Sequence, residues 1–157
     1  MEYRELGNTG LTVSRLCFGS LTLGPLCADL PVEQGRDLIL AALAAGINFI
    51  DTAEQYRTYP YIRAALDKTD AEPVIATKTY AKSAEEASWA LEDARIALGR
   101  DRIEVFLLHE VRSAEDLRRG RKPGRYCWMP RPTAISRLWA FPRTAPLLPH
   151  GRQSSRR

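Results

Sequence analysis

The stretch INFIDTAEQY, residues 47–56, decides how the chain reads. Ile47, Asn48, Phe49 and Ile50 form a run apolar enough for a buried strand. The run stops on Asp51, and Tyr56 follows five residues later. A carboxylate has no place in a core unless something pairs with it. A core strand that ends on one, with a phenol just beyond, points to chemistry at the strand's end.

The same pattern recurs on both sides. LCFGS at 16–20 reads as a strand ending in Gly19 and Ser20. PVIATK at 73–78 and IEVFLLH at 103–109 read as two more, closing on Lys78 and His109. Helical stretches lie between them. In PVEQGRDLILAALAAG, 31–46, Pro31 suits a first turn and Gly46 closes the helix. Leu38, Ala42 and Ala45 share one stripe there, with Leu43 beside it. A second helix is predicted within YIRAALDK, 61–68. In 83–99, Ser83 and Glu86 form a capping box, Ala87, Leu91, Ala94 and Leu98 form one apolar face, and Gly99 stops the helix. Ahead of all this, residues 2–15 predict a small hairpin turned at Gly7, Asn8 and Gly10.

The strands are continuous apolar runs rather than alternating ones, as expected where both faces of a parallel sheet are buried. Successive strand ends, at Gly19, Asp51, Lys78 and His109, are 32, 27 and 31 residues apart, about one βα unit each. The fold class is therefore α/β, either part of a (β/α)8 barrel or a doubly wound sheet. No GxGxxG follows the first strand, which weighs against a dinucleotide fold of the second kind.

In a parallel α/β barrel all strand ends of one sense share a rim, where active sites are built. Asp51, Tyr56, Lys78 and His109 would converge there. A phenol is a poor proton donor at neutral pH, and a nearby ammonium favours its ionised form. An aspartate paired with the lysine keeps that amine charged and placed. The phenol can then protonate a developing alkoxide while a histidine orients the carbonyl oxygen. Singly, each residue has a plainer reading: Asp51 as a helix cap, Lys78 as a solvated charge, His109 as a rim residue, Tyr56 as packing. Their joint placement favours the acid half of a carbonyl reduction, with the hydride coming from a cofactor.

On YRELGNTGLTVSRLCFGS, AALAAGINFIDTAEQY, VIATK and FLLH, the chain resembles the aldo/keto reductase family over residues 3 to about 112. The resemblance implies a (β/α)8 TIM barrel, of which this stretch is the N-terminal half behind an N-terminal β-hairpin. It implies NADPH as hydride source, a small-molecule aldehyde or ketone as substrate, and no metal. It maps the catalytic four onto Asp51, Tyr56, Lys78 and His109, with Tyr56 as acid/base. It places Gly19, Ser20 and Asp51 beside the cofactor. Residues 57–66, RTYPYIRAAL, depart from the Gly-Asn and Gly-rich helix start that many members carry. Half a barrel implies no turnover by this chain alone. The alternative is a non-enzymatic remnant or interaction fragment.

The 157-residue chain is 45% hydrophobic and 27% charged, which places it among ordinary soluble globular proteins. No signal peptide or membrane span is expected. Cys17, Cys27 and Cys127 are too scattered for a disulfide framework or a zinc site, so a reducing, cytoplasmic setting is expected. The net charge of +4 hides a break. Of 23 Lys and Arg, 11 lie from Arg118 onward, while all 19 acids precede that point. Two segments follow: a partial barrel over 1–112 and a basic, Pro-rich, disordered tail over 113–157.

A basic arm on a phosphate backbone is one reading of the tail, but nucleic acid is not the expected partner. The codons favour another. Tyr126-Cys127-Trp128-Met129-Pro130 must be TAY-TGY-TGG-ATG-CCN, which from its third base reads Leu-Leu-Asp-Ala whatever Y is. The same shift forces Gly at Trp139-Ala140. The shifted frame permits LLDAKAYGYIKAVGLS, which resembles this family's next helix and strand. A frameshift near codons 118–123 is therefore expected. Sequencing the gene tests it, and early stops in the shifted frame would refute it.

Overall fold

A computed structural model describes residues 1–111 and Ser113. The expected basic tail and its shifted frame lie outside the described residues.

The chain opens with a hairpin. β1 (Tyr3–Glu5) pairs antiparallel with β2 (Thr12–Ser14). Gly7 and Gly10 take φ of +56° and +69° in its turn, a region open to glycine without strain. Asn48 ties the hairpin to the main sheet: its Oδ1 accepts from the Ser14 N–H at 2.6 Å and its Nδ2 donates to the Thr12 carbonyl at 3.0 Å.

Four parallel strands follow in the order β3 (Phe18–Gly19), β4 (Phe49–Asp51), β5 (Val74–Thr79), β6 (Val105–Leu108). Strand neighbours in space are strand neighbours in sequence, which is the barrel-like order rather than the doubly wound one. α1 (Val32–Ala44), α2 (Tyr59–Leu66) and α3 (Ala84–Leu98) make the crossovers. Short 3-10 turns at Ser20–Leu23 and Glu54–Tyr56 follow β3 and β4.

Side chains alternate across a strand, so the two cores reveal which way each residue faces. Ile50 and Ile75 join Ile39, Ile62 and Leu98 in the core beneath the helices. Val74, Ala76 and Val105 face the other way and pack against Val13 of the hairpin, with Phe49 beside them. By parity, Asp51, Lys78 and His109 share this second face. The hairpin covers its lower end, and the polar residues occupy its upper end.

Several boundaries differ from those predicted. β4 ends on Asp51 as predicted, whereas Lys78 is the penultimate residue of β5, which runs on to Thr79. His109 lies one residue past β6. α2 begins at Tyr59, two residues before the predicted stretch, with Pro60 in its first turn. The core stripe of α1 is also different: Gly35 and Ile39 are buried, whereas Leu38 is 49% exposed. Gly35 explains the rotation. A Cβ there would lie 2.2 Å from Cδ1 of Tyr61, so the glycine lets α2 press directly onto α1. α3 follows its predicted face, with Ala94 and Leu98 buried. Ser83 Oγ accepts from the Glu86 N–H at 3.1 Å, while the Glu86 carboxylate returns to the Lys82 N–H at 2.7 Å, one residue before the usual partner.

Candidate active site

Strand register brings the site together. Asp51 lies opposite Ala76, and Lys78 is one pleat further along β5 on the same face. The lysine therefore leans back across the strand boundary. Its Nζ donates to Oδ1 and Oδ2 of Asp51, both at 2.7 Å, and to the Thr52 carbonyl at 2.8 Å. The lysine side chain is 16% exposed and the aspartate side chain 35%, so the pair is partly withdrawn from water. Three acceptors on one ammonium leave it a single narrow range of positions.

That position faces Tyr56, with Nζ 5.1 Å from the centre of its ring. The Tyr56 ring in turn meets His109 edge-on, with centroids 5.6 Å apart at 73°. Thus Asp51, Lys78, Tyr56 and His109, each singled out in the sequence, lie together at one end of the sheet. Gly19 pairs with Asp51 across β3 and β4. It is exposed, and a Cβ built on it meets nothing within 4 Å, so open space lies in front of the Asp51–Lys78 pair. Ser20 is placed differently. It is fully buried, and its hydroxyl lies 2.7 Å from that of Thr58, so its side chain does not face that space.

Three neighbours were not singled out in the sequence. The Thr52 carbonyl is a backbone group, invisible to a reading of side chains. Tyr80 stacks on His109, with centroids 4.5 Å apart at 29°, and sits two residues after Lys78, where strand parity could have placed it. Cys17 lies beside the Asp51–Lys78 pair. Cys17 is exposed overall, but partial desolvation of its thiol, and then the Asp51 charge, push it up to about 11, so it remains protonated at neutral pH. The Nδ1 atom of His109 is buried and has no hydrogen-bond partner among the described residues. Tyr59, close to Tyr56 in sequence, points elsewhere: its hydroxyl lies 2.8 Å from that of Thr77, and burial raises its pKa.

Among the described residues, no group of three or more His, Cys, Asp or Glu is placed to hold a metal ion, and no helix is long and apolar enough to cross a membrane.

Comparison with known proteins agrees with this fold. An uncharacterised oxidoreductase of Bacillus subtilis is 45% identical over 56 residues, covering 36% of this chain and 16% of that protein. A protein of Oryza sativa named as a probable voltage-gated potassium channel subunit beta is 42% identical over 57 residues, covering 36% of this chain and 16% of its own. A crystal structure of a proposed aldo-keto reductase from Pseudomonas aeruginosa superposes with a TM-score of 0.65 at 30% identity, over 73% of this chain and 50% of that one. The chain thus spans about half the length of that solved relative. The pattern of the Aldo/keto reductase family matches residues 15–141, beyond the stretch ending near 112 on which the sequence resemblance rested. The chain belongs to the aldo/keto reductase family, and its described fold corresponds to the N-terminal half of a (β/α)8 barrel.

Proposed function

We propose that the cluster at the end of β4, β5 and β6 is the proton-donating half of an NAD(P)H-dependent reduction of a small aldehyde or ketone, with NADPH as the expected form. The observation that carries this reading is the Lys78 ammonium, fixed by Asp51 and the Thr52 carbonyl and turned toward the Tyr56 ring. Gly19 and Asp51 are the residues that would face the nicotinamide ribose, and the open space at Gly19 fits them for it. We assign the Ser20 segment to the same loop, through its backbone. The bound dinucleotide would supply the hydride.

The chain's own residues do the rest. Tyr56 Oη donates its proton to the carbonyl oxygen as that oxygen gains charge, so that aldehyde or ketone, hydride and proton give the alcohol. Lys78 offsets the charge left on the phenolate oxygen. Asp51 keeps the ammonium charged and stationary. His109, held edge-on to Tyr56, orients the carbonyl oxygen for the transfer. Water then returns a proton to Tyr56. Cys17 and Cys27 are free thiols, which suits the reducing, cytoplasmic setting of this reading.

We also propose that residues 1–157 alone do not complete the site. Among the described residues the sheet has four strands, with β3 and β6 at its edges. The test combines the chain with a separately made polypeptide carrying the second half of the Pseudomonas relative, and follows NADPH absorbance with a simple aldehyde. Expected is turnover by the mixture, none by either piece, and a loss of about 100-fold or more in Tyr56→Phe. Turnover undiminished in Tyr56→Phe would overturn the role of Tyr56, and turnover by the chain alone would overturn its incompleteness. No turnover from folded pieces would favour the second reading, a remnant or interaction fragment. That reading is supported by the 11 basic and no acidic residues from Arg118 onward.

A further inference from the structure

Tyr56 sits in an awkward place. The residue after it, Arg57, has φ of +56°, a left-handed conformation that a side chain disfavours by about 1–2 kcal/mol. Something outside the turn must hold it. Thr58 comes next and is fully buried. It occupies the N-cap of α2, where a threonine hydroxyl ordinarily accepts from the first turn of the helix, yet it makes no such bond. Its Oγ1 instead lies 2.7 Å from Ser20 Oγ and 2.9 Å from Thr52 Oγ1. All three residues are fully buried. Each hydroxyl can donate or accept, so the chain ties the three residues together whichever way it runs.

Both ends of the chain reach the site. Thr52 contributes its hydroxyl to Thr58 and its carbonyl to the Lys78 ammonium at 2.8 Å. Ser20 anchors the other end just past Gly19. A second contact presses the same segment from outside. A Cβ on Gly24 would lie 2.7 Å from the Thr58 methyl and 2.7 Å from the Tyr56 carbonyl oxygen. Gly24 is therefore a seat for the Tyr56 turn, and its φ of −88° shows that it is not needed there for backbone freedom.

We propose that Thr58, held between Ser20 and Thr52 and seated against Gly24, is a positioning residue that sets where Tyr56 stands relative to Lys78 and His109. Its importance for catalysis rests on the function proposed above, but the placement itself does not.

The test is therefore made first without turnover, on the intact chain. Contacts between the Tyr56 and His109 rings are read by NMR, with melting temperature as a separate measure of stability. Thr58→Val keeps the methyl on Gly24 and removes the hydroxyl. Expected is loss of the Tyr56–His109 ring contacts, with their recovery in Thr58→Ser. A merely structural role would lower the melting temperature and leave those contacts as in the wild type, and that result would overturn the proposal. Should Thr58→Val not fold, Gly24→Ala decides. It keeps every hydroxyl and is expected to displace Tyr56, and unchanged ring contacts in the folded variant would overturn the proposal. In the complemented enzyme, Thr58→Val is expected to lower kcat about 10- to 100-fold with little change in KM. An active complemented enzyme in which displaced rings left kcat unchanged would separate the clamp from catalysis.

Discussion

At the scale of single residues, the site is built from groups whose neighbours leave them little choice. Lys78 has three oxygen acceptors within 2.8 Å, and among the described residues its ammonium faces the ring of Tyr56. Cys17, beside the same pair, is held in its neutral form by partial desolvation of the thiol and by the Asp51 carboxylate. This has a consequence for pH. The folded thiol ionises near 11 against an ordinary value of 9.0, so above pH 9 the unfolded chain carries fewer protons there than the folded one. The Cys17 contribution to stability is complete below pH 9 and is lost as pH rises through about 11. Denaturant midpoints across this range are expected to fall more steeply in the wild type than in Cys17→Ala. Alkylation of Cys17, followed by peptide mass spectrometry, is expected to accelerate toward pH 11, whereas acceleration centred at or below pH 9 would contradict the assignment.

At the scale of elements, the turn between β4 and α2 is the part the sequence showed least clearly. Asp51, Lys78 and His109 could be read from short apolar runs that stop on a polar residue, because a doubly buried strand leaves that mark. Their offsets from the strand ends could not, since a ladder continues for as long as its backbone partners do, and Lys78 still has Leu107 opposite it. The core stripe of α1 was misread for a different reason. The close approach of Tyr61 to Gly35 depends on two helices at once, so no periodicity within one of them reveals it. The hydroxyl chain through Ser20, Thr52 and Thr58 joins residues up to 38 apart and leaves no local pattern. Arg57 opens the stretch 57–66 that departs from the Gly-Asn start implied by the family resemblance, and its positive φ gives that departure a physical meaning. Arg57→Gly is expected to stabilise the fold by about 1 kcal/mol, the strain removed exceeding the flexibility gained by the unfolded chain. A rise in melting temperature checks this. A fall would mean that the Arg57 side chain contributes more than its backbone costs.

At the scale of the whole molecule, two opposed cores fix the direction of the chemistry. The helices bury one face of the sheet, and the hairpin closes the lower end of the other through Val13. Only the upper end is left for polar side chains, so three successive parallel strands and one loop deliver their reactive groups to the same place. Buried Glu104 secures the opposite end of the sheet. Its carboxylate accepts from the Ile75 N–H at 3.0 Å and from Arg100 at 3.1 Å, locking β5 to the start of β6. The site is thus carried by a sequential sheet of four strands among the described residues, and the chain spans about half the length of its solved relative. The central claim concerns coupling: Lys78 matters to the reaction because it acts on Tyr56. A double-mutant cycle in the complemented enzyme measures this most directly, comparing Tyr56→Phe, Lys78→Met and the double variant by kcat/KM for one aldehyde. If the lysine works through the phenol, Lys78→Met is expected to lower activity by about 100-fold in the wild type and only slightly once Tyr56 is Phe. Losses that multiply, as for two independent groups, would contradict it.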